Sequence, residues 1–268
     1  MKPSPLKLRL IAALMSKLAG LLVCLALAAP ATPAAAKPAV LVELFTAQGC
    51  SSCGNINAVV GQLAERPGII ALTWPVDYWD YLGWKDTFAK PEFADRQRAY
   101  DKRFDVREVY TPQVIVDGHL QASGATAGAV DSLVREARRS SADPPDMKFL
   151  VGGRIAVGSA PRPRGGGEVW LIRYDPRAQL VEVKAGDNRG QTVPQRNVVR
   201  EIERLGTWAG RPVVFKAPAP SEEGLESLVV VQGSNGGRIL GVLQQAREPG
   251  RKAATSSAES KTPAAGGG

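Results

Sequence analysis

The chain has 268 residues, 44% of them hydrophobic and 22% charged, with 34 Lys/Arg against 26 Asp/Glu and a formal net charge of +8. That hydrophobic share excludes a disordered polar chain. Four of the basic residues and no acid fall in the first 36 positions, leaving 30 basic against 26 acidic residues, a net +4 spread among acids; this argues against a nucleic-acid partner.

Lys2, Lys7, Arg9 and Lys17 precede an uncharged apolar run from Leu18 to Ala29, and a Pro/Ala-rich stretch ends at Ala34-Ala35-Ala36. This is the form of a secretory signal. About a dozen apolar residues fall short of the roughly 20 that a spanning helix needs. Residues 1–36 are therefore expected to be removed, Cys24 with them. The mature protein is expected in a periplasmic or secreted, oxidising space, without membrane contact.

From Val40 to Phe45 the chain reads as a buried strand, and Ile56, Val59, Val60 and Leu63 fall at helical spacing just after two cysteines, Cys50 and Cys53. A strand follows at Ile69 to Thr73, then an aromatic loop, then a helix from Pro91 to Phe104 with Pro at its start, where the missing N–H costs nothing. Gln113 to Val116 is a third strand that turns at Asp117-Gly118 into a hairpin partner, His119 to Ala122. A helix over 127–139 closes this half, and "SSADPPD", Ser140 to Asp146, marks a break. The order is β-α-β-α-β-β-α.

A cysteine pair at the first strand-to-helix turn, in that order and with Thr111-Pro112 before the third strand, looks like a thioredoxin fold. Helix N–H groups and the positive end of the dipole favour a thiolate there. Cys50 is expected to be the exposed, more acidic thiol and Cys53, one turn in, the buried resolving partner. Pro112 is expected to be cis, because a cis X–Pro bond makes a tight turn at small cost, and the backbone beside it, at Thr111, to pair with an extended substrate.

The loop "WPVDYWDYLGWKD" holds Trp74, Trp79 and Trp84 with Tyr78, Tyr81, Asp77, Asp80 and Asp86. Its aromatics suit either a binding surface, with Tyr78, Trp79 and Trp84 as contacts, or a cap whose rings pack inward. Asp77 is expected near Cys53 as a proton acceptor; Glu43, an acid inside a buried strand that needs a reason, is the second candidate, with emergence at a sheet edge as the alternative.

After the break, "KFLVGGRIAVG", "EVWLIRYD", "QLVEVKAG", "RPVVFKAP", "LESLVVVQG" and "GRILGVLQQ" are short β-rich runs between Gly, Pro and Asp turns, and "NVVREIERLG", with Val198, Val199, Ile202 and Leu205 at helical spacing amid β-rich surroundings, is taken as a further strand. The expected organisation is a signal peptide (1–36), a thioredoxin-like α/β domain (37–142), an all-β, sandwich-like C-terminal domain (143–246) and a disordered tail (247–268).

The segments "VELFTAQGCSSC", "VDYWDYLGWKDTFA", "RQRAY", "VYTPQVIVDG", "EVWLIRYDP" and "NVVREIERLG" together resemble a secreted bacterial family of unknown function (domain-of-unknown-function family 1223), over about Val40 to Leu243. The resemblance implies a thioredoxin-like N-terminal half and export, and no activity. The chain departs from the family's pattern at two places. Gly54, Asn55, Ile56 and Asn57 stand where Pro-Pro-x-Asp is usual, and Pro75 stands where a His is usual.

The expected function is disulfide exchange with a protein thiol or disulfide through Cys50 and Cys53, with no cofactor and no metal. The alternatives are a non-enzymatic periplasmic binding module with a structural disulfide, or a Cu(I) carrier. Zinc is disfavoured, since two thiolates make an incomplete site and the chain has one His, His119.

Overall fold

The computed structural model describes residues 38–123, 126–140 and 143–245. The expected signal, with Cys24, and the expected tail lie outside the described residues. Strand β1 (Val40–Thr46) leads through a single 3-10 turn (Ser51–Cys53) into helix α1 (Gly54–Leu63), followed by β2 (Ile69–Pro75). A second short turn (Asp80–Leu82) precedes α2 (Pro91–Phe104), β3 (Gln113–Val116), β4 (Leu120–Ser123) and α3 (Ala127–Ser140). Helix α2 begins with Pro91 and Glu92 and ends with Lys102 and Arg103, charges that suit the two ends of its dipole.

The rest is β-structure: β5 (Met147–Leu150), β6 (Arg154–Val157), β7 (Gly167–Asp175), β8 (Gln179–Glu182), β9 (Thr192–Gln195), β10 (Val198–Trp208), β11 (Val213–Lys216), β12 (Glu226–Gly233) and β13 (Ile239–Gln244). "NVVREIERLG" is a strand, as its β-rich surroundings suggest.

The strands do not sort into two domains. One mixed eight-stranded sheet runs β13-β12-β7-β10-β2-β1-β3-β4. This overturns the expected α/β thioredoxin-like domain followed by a separate all-β domain: the protein is mostly β-sheet, with three helices among the described residues. The physical reason lies at β2. Every residue of β2 is buried, so its far edge could not be left with unpaired N–H and C=O groups. β10 fills that edge in parallel, with Val198 opposite Thr73. Asn197, at φ 50, stitches the seam. Its carbonyl accepts the Thr73 N–H at 3.0 Å and its Nδ2 donates to the Ala71 carbonyl at 2.8 Å.

The halves meet again across the molecule. Ile239 N–H donates to the Asp117 carbonyl at 2.9 Å. Beside it Gly118 has φ +65, and a Cβ there would stand 2.7 Å from the Gly237 carbonyl; only glycine fits.

Side chains alternate between the faces of the sheet. Val40, Val42 and Leu44 pack with Ile56, Val60, Val130 and Val134 under α1 and α3. Leu41 and Phe45, on the other face, join Leu72, Trp74, Phe93 and Tyr100 with Ile172, Val199 and Val230 from the second half. Helix α2 therefore lies against a core built by both halves. A third core, with Val169, Leu171, Val229 and Trp208, is covered by the small sheet β11-β6-β5.

Glu43 falls on the α2 face of β1, and that explains it. Its Oε1 accepts from Arg96 Nε at 2.6 Å and its Oε2 from the Tyr100 hydroxyl at 2.5 Å. Arg96 lies over the Trp74 and Tyr100 rings, 5.0 and 5.2 Å from their centroids, and donates to Gln232 Oε1 of β12 at 3.3 Å. Burial pushes the Tyr100 phenol well above its usual range, so it stays a donor.

Candidate functional site

The turn after β1 carries a disulfide between Cys50 and Cys53, with Cα atoms 5.4 Å apart. Cys50 is extended and precedes the 3-10 turn, while Cys53 caps α1. Cys53 N–H donates to the Cys50 carbonyl at 3.2 Å, and Cys50 Sγ lies 3.4 Å from Ser52 Oγ. The expectation of one exposed and one buried thiol does not hold. Cys50 is 2% and Cys53 1% exposed; the exposed residues of the turn are Ser51 and Ser52.

Trp79 packs against the core that contains both cysteines and passes 3.9 Å from where a Cβ of Gly49 would stand. Its indole Nε1–H donates to Thr111 Oγ1 at 2.7 Å, which ties the cysteine turn to Thr111-Pro112. That peptide bond is cis, as expected, and Pro112 is buried. Gln113, the next residue, donates to Asp101 Oδ1 at 2.7 Å and receives Gln97 Nε2 at 2.9 Å on its Oε1. Gln97 Oε1 in turn accepts the Tyr78 hydroxyl at 3.0 Å. Burial raises both the Tyr78 phenol and the Asp101 carboxyl.

The aromatic loop thus turns most of its polar ends inward. Trp84 Nε1–H donates to Gln48 Oε1 at 3.0 Å, so Tyr78, Trp79 and Trp84 all serve as struts of a cap. Tyr81 is the ring left to solvent, 78% exposed and stacked on Trp79 at 6.4 Å. Asp77 lies half-buried just past β2, and its backbone carbonyl accepts the Asp80 N–H. His119 sits half-buried in the hairpin turn, its Nδ1 3.1 Å from the Asp117 carbonyl.

The acid that reaches the cysteine turn is Asp86. Its Oδ2 accepts the Gln48 N–H at 2.7 Å, and its Oδ1 accepts from Phe88 and Ala89 at 3.0 and 3.2 Å. Burial outweighs these bonds and pushes its carboxyl up to about 6. An unfolded Asp titrates near 3.9, so between about pH 4 and 6 the folded state holds a proton that the unfolded chain has lost. Stability from this group is present at low pH and falls as pH rises through 6, by at most about 3 kcal/mol. Asp86→Asn should flatten the decline in unfolding free energy between about pH 4.5 and 7. Identical pH dependence in urea titrations of the two proteins would show that Asp86 ionises without this cost.

Asn188 comes from the second half. Its Nδ2 donates to the Gln48 carbonyl at 2.7 Å and to the Cys50 carbonyl at 3.0 Å. Gln48 is gripped on both sides, by Asp86 and by Asn188. Neither Gln48 nor Asn188 stands out in the sequence. Asn188 lies 138 positions from Cys50 in a turn of ordinary composition, and only the joining of the two halves brings it there. Among the described residues no three His, Cys, Asp or Glu side chains converge as metal ligands would.

A family model described as "Protein of unknown function (DUF1223)" matches residues 41–232. No curated protein matches the chain. Among solved structures, the crystal structure of a protein from Agrobacterium tumefaciens is similar, with 27% identity and a TM-score of 0.63, covering 78% of this chain and 97% of that one. HBP35 of Porphyromonas gingivalis is similar in fold, with 13% identity and a TM-score of 0.52, covering 84% of this chain and 81% of that one.

Proposed function

Because the chain belongs to DUF1223, a family described only as of unknown function, its role has to come from the site, and we propose that it is an exported protein that exchanges disulfides with a partner protein through Cys50 and Cys53. The observation that carries this reading is the placement of the disulfide across the turn that opens α1. A staple closing so short a loop constrains the unfolded chain least, by roughly 2 kcal/mol against about 3 for a 15-residue loop. The same position serves chemistry well. Sulfurs at the start of a helix face unsatisfied N–H groups, which lower the cost of a thiolate.

The reaction is a pair of displacements. A partner thiolate attacks Cys50 Sγ, the Cys50–Cys53 bond breaks, and Cys53 leaves as a thiolate that takes a proton from solvent. Cys53 can then return its electron pair to Cys50 Sγ and expel the partner, or a second partner thiol can resolve the mixed disulfide and leave both cysteines reduced. Export rests on the basic and apolar pattern of residues 1–36.

A second reading is favoured by the burial of both cysteines: a binding module whose disulfide is permanent. The reduction potential separates the two. Equilibration of the protein from Lys37 onward against glutathione and dithiothreitol is expected to give a value between roughly −120 and −270 mV. A value below about −300 mV would assign the pair to structure and overturn the exchange reading.

A further inference from the structure

The β8–β9 hairpin belongs to neither of the other sheets; its two strands pair only with each other. Its tip is a closed loop, with Gly190 N–H donating to the Val183 carbonyl at 2.8 Å and Gln191 N–H to the Asn188 carbonyl at 2.9 Å. Gly186, at φ +73, rests on the aromatic loop, and a Cβ there would stand 3.4 Å from the Leu82 carbonyl. From this perch Asn188 holds the Gln48 and Cys50 carbonyls. The Cys50 carbonyl would keep the Cys53 N–H if Asn188 withdrew, and water can take the place of the amide at both. Lifting the tip over 186–190 breaks these contacts and leaves the large sheet intact, while the base of the hairpin stays held by buried Val183, Val193 and Gln195, whose Oε1 accepts from Gln48 Nε2 at 3.5 Å.

We propose that Asn188 is a positioning residue that governs access to the disulfide, with the tip of the β8–β9 hairpin as a cover that must lift before a thiol can reach Cys50. The inference rests on the exchange reading only for the biological identity of the incoming thiol. It explains how a reactive pair can be buried at rest, and it gives the second half of the chain a part in the chemistry. Specificity follows, because a partner able to displace the Asn188 amide from the two carbonyls gains an entry that other thiols lack.

The test is the rate at which dithiothreitol reduces the protein. Its two thiols pass two electrons to the Cys50–Cys53 bond, giving cyclic oxidised dithiothreitol and two protein thiols. Asn188→Ala is expected to be reduced about tenfold faster than the natural protein. Below the unfolding transition that rate should change little with urea, as local opening requires. Gly186→Ala, strained at its positive φ and pressed on Leu82, should act in the same direction and carries the test if Asn188→Ala does not fold. Rates equal to the natural protein's, or a gain that follows the full urea dependence of global unfolding, would overturn the cover. The reduction potential is independent of these rates, so a structural potential would sink the exchange reading while the rates still decide the cover.

Discussion

Replacing Arg96 with Leu is expected to lower the unfolding free energy by about 3–5 kcal/mol. Glu43 and Arg96 are both buried among apolar side chains. In the native pair each charge is met, since Arg96 donates to Glu43 and Gln232 and to the Tyr100 hydroxyl at 2.9 Å. Leu in place of Arg96 strands a carboxylate on the interior strand β1 with one hydroxyl donor. The size of the loss comes from that stranded charge rather than from the attraction removed. Adding Glu43→Leu should therefore recover much of it, although two large polar groups have gone. Urea unfolding followed by tryptophan fluorescence measures all three proteins. A double variant no more stable than Arg96→Leu alone would refute this account.

The second large effect concerns Cys53→Ser. In the exchange cycle Cys53 is the group that expels the partner from Cys50, so its removal should turn a transient mixed disulfide into a lasting one. Incubating Cys53→Ser with a small protein disulfide should give a covalent adduct through Cys50 that accumulates over hours and dissolves on reduction. Cys50→Ser should give none, because in the exchange cycle the partner bonds to Cys50 and Cys53 only resolves. Equal adduct yields from the two variants would mean that the attacked sulfur has been assigned wrongly. No adduct from either would speak for a permanent disulfide.

Much of the local structure is legible in the sequence, because it is written in local signals. The Pro91 start of α2 and the Asp117-Gly118 turn each depend on neighbours within a few positions. Glu43 announced a buried partner without naming it, since Arg96 is 53 positions away. The architecture was not legible. A fully apolar strand reads alike whether its far edge is covered by a helix, by a loop or by another strand, so nothing within Ile69–Pro75 foretells β10. The site suffers from the same limit. The cysteines and Thr111-Pro112 stand out by spacing, whereas Asp86, Gln48 and Asn188 act through hydrogen bonds to backbone atoms. Such roles can be filled by common polar residues and leave no pattern.

The pairing of β10 with β2 also orders events during synthesis. Until residue 198 has been made, a nascent chain can build β1, α1, β2 and the β3–β4 hairpin, yet β2 keeps an open edge and Leu72 and Trp74 lack the Val199 and Val230 side of their core. An open apolar edge of this kind recruits other chains. Contacts across more than a hundred residues also form slowly. The protein is thus expected to fold late and as a whole, which suits the proposed export as an unfolded thread.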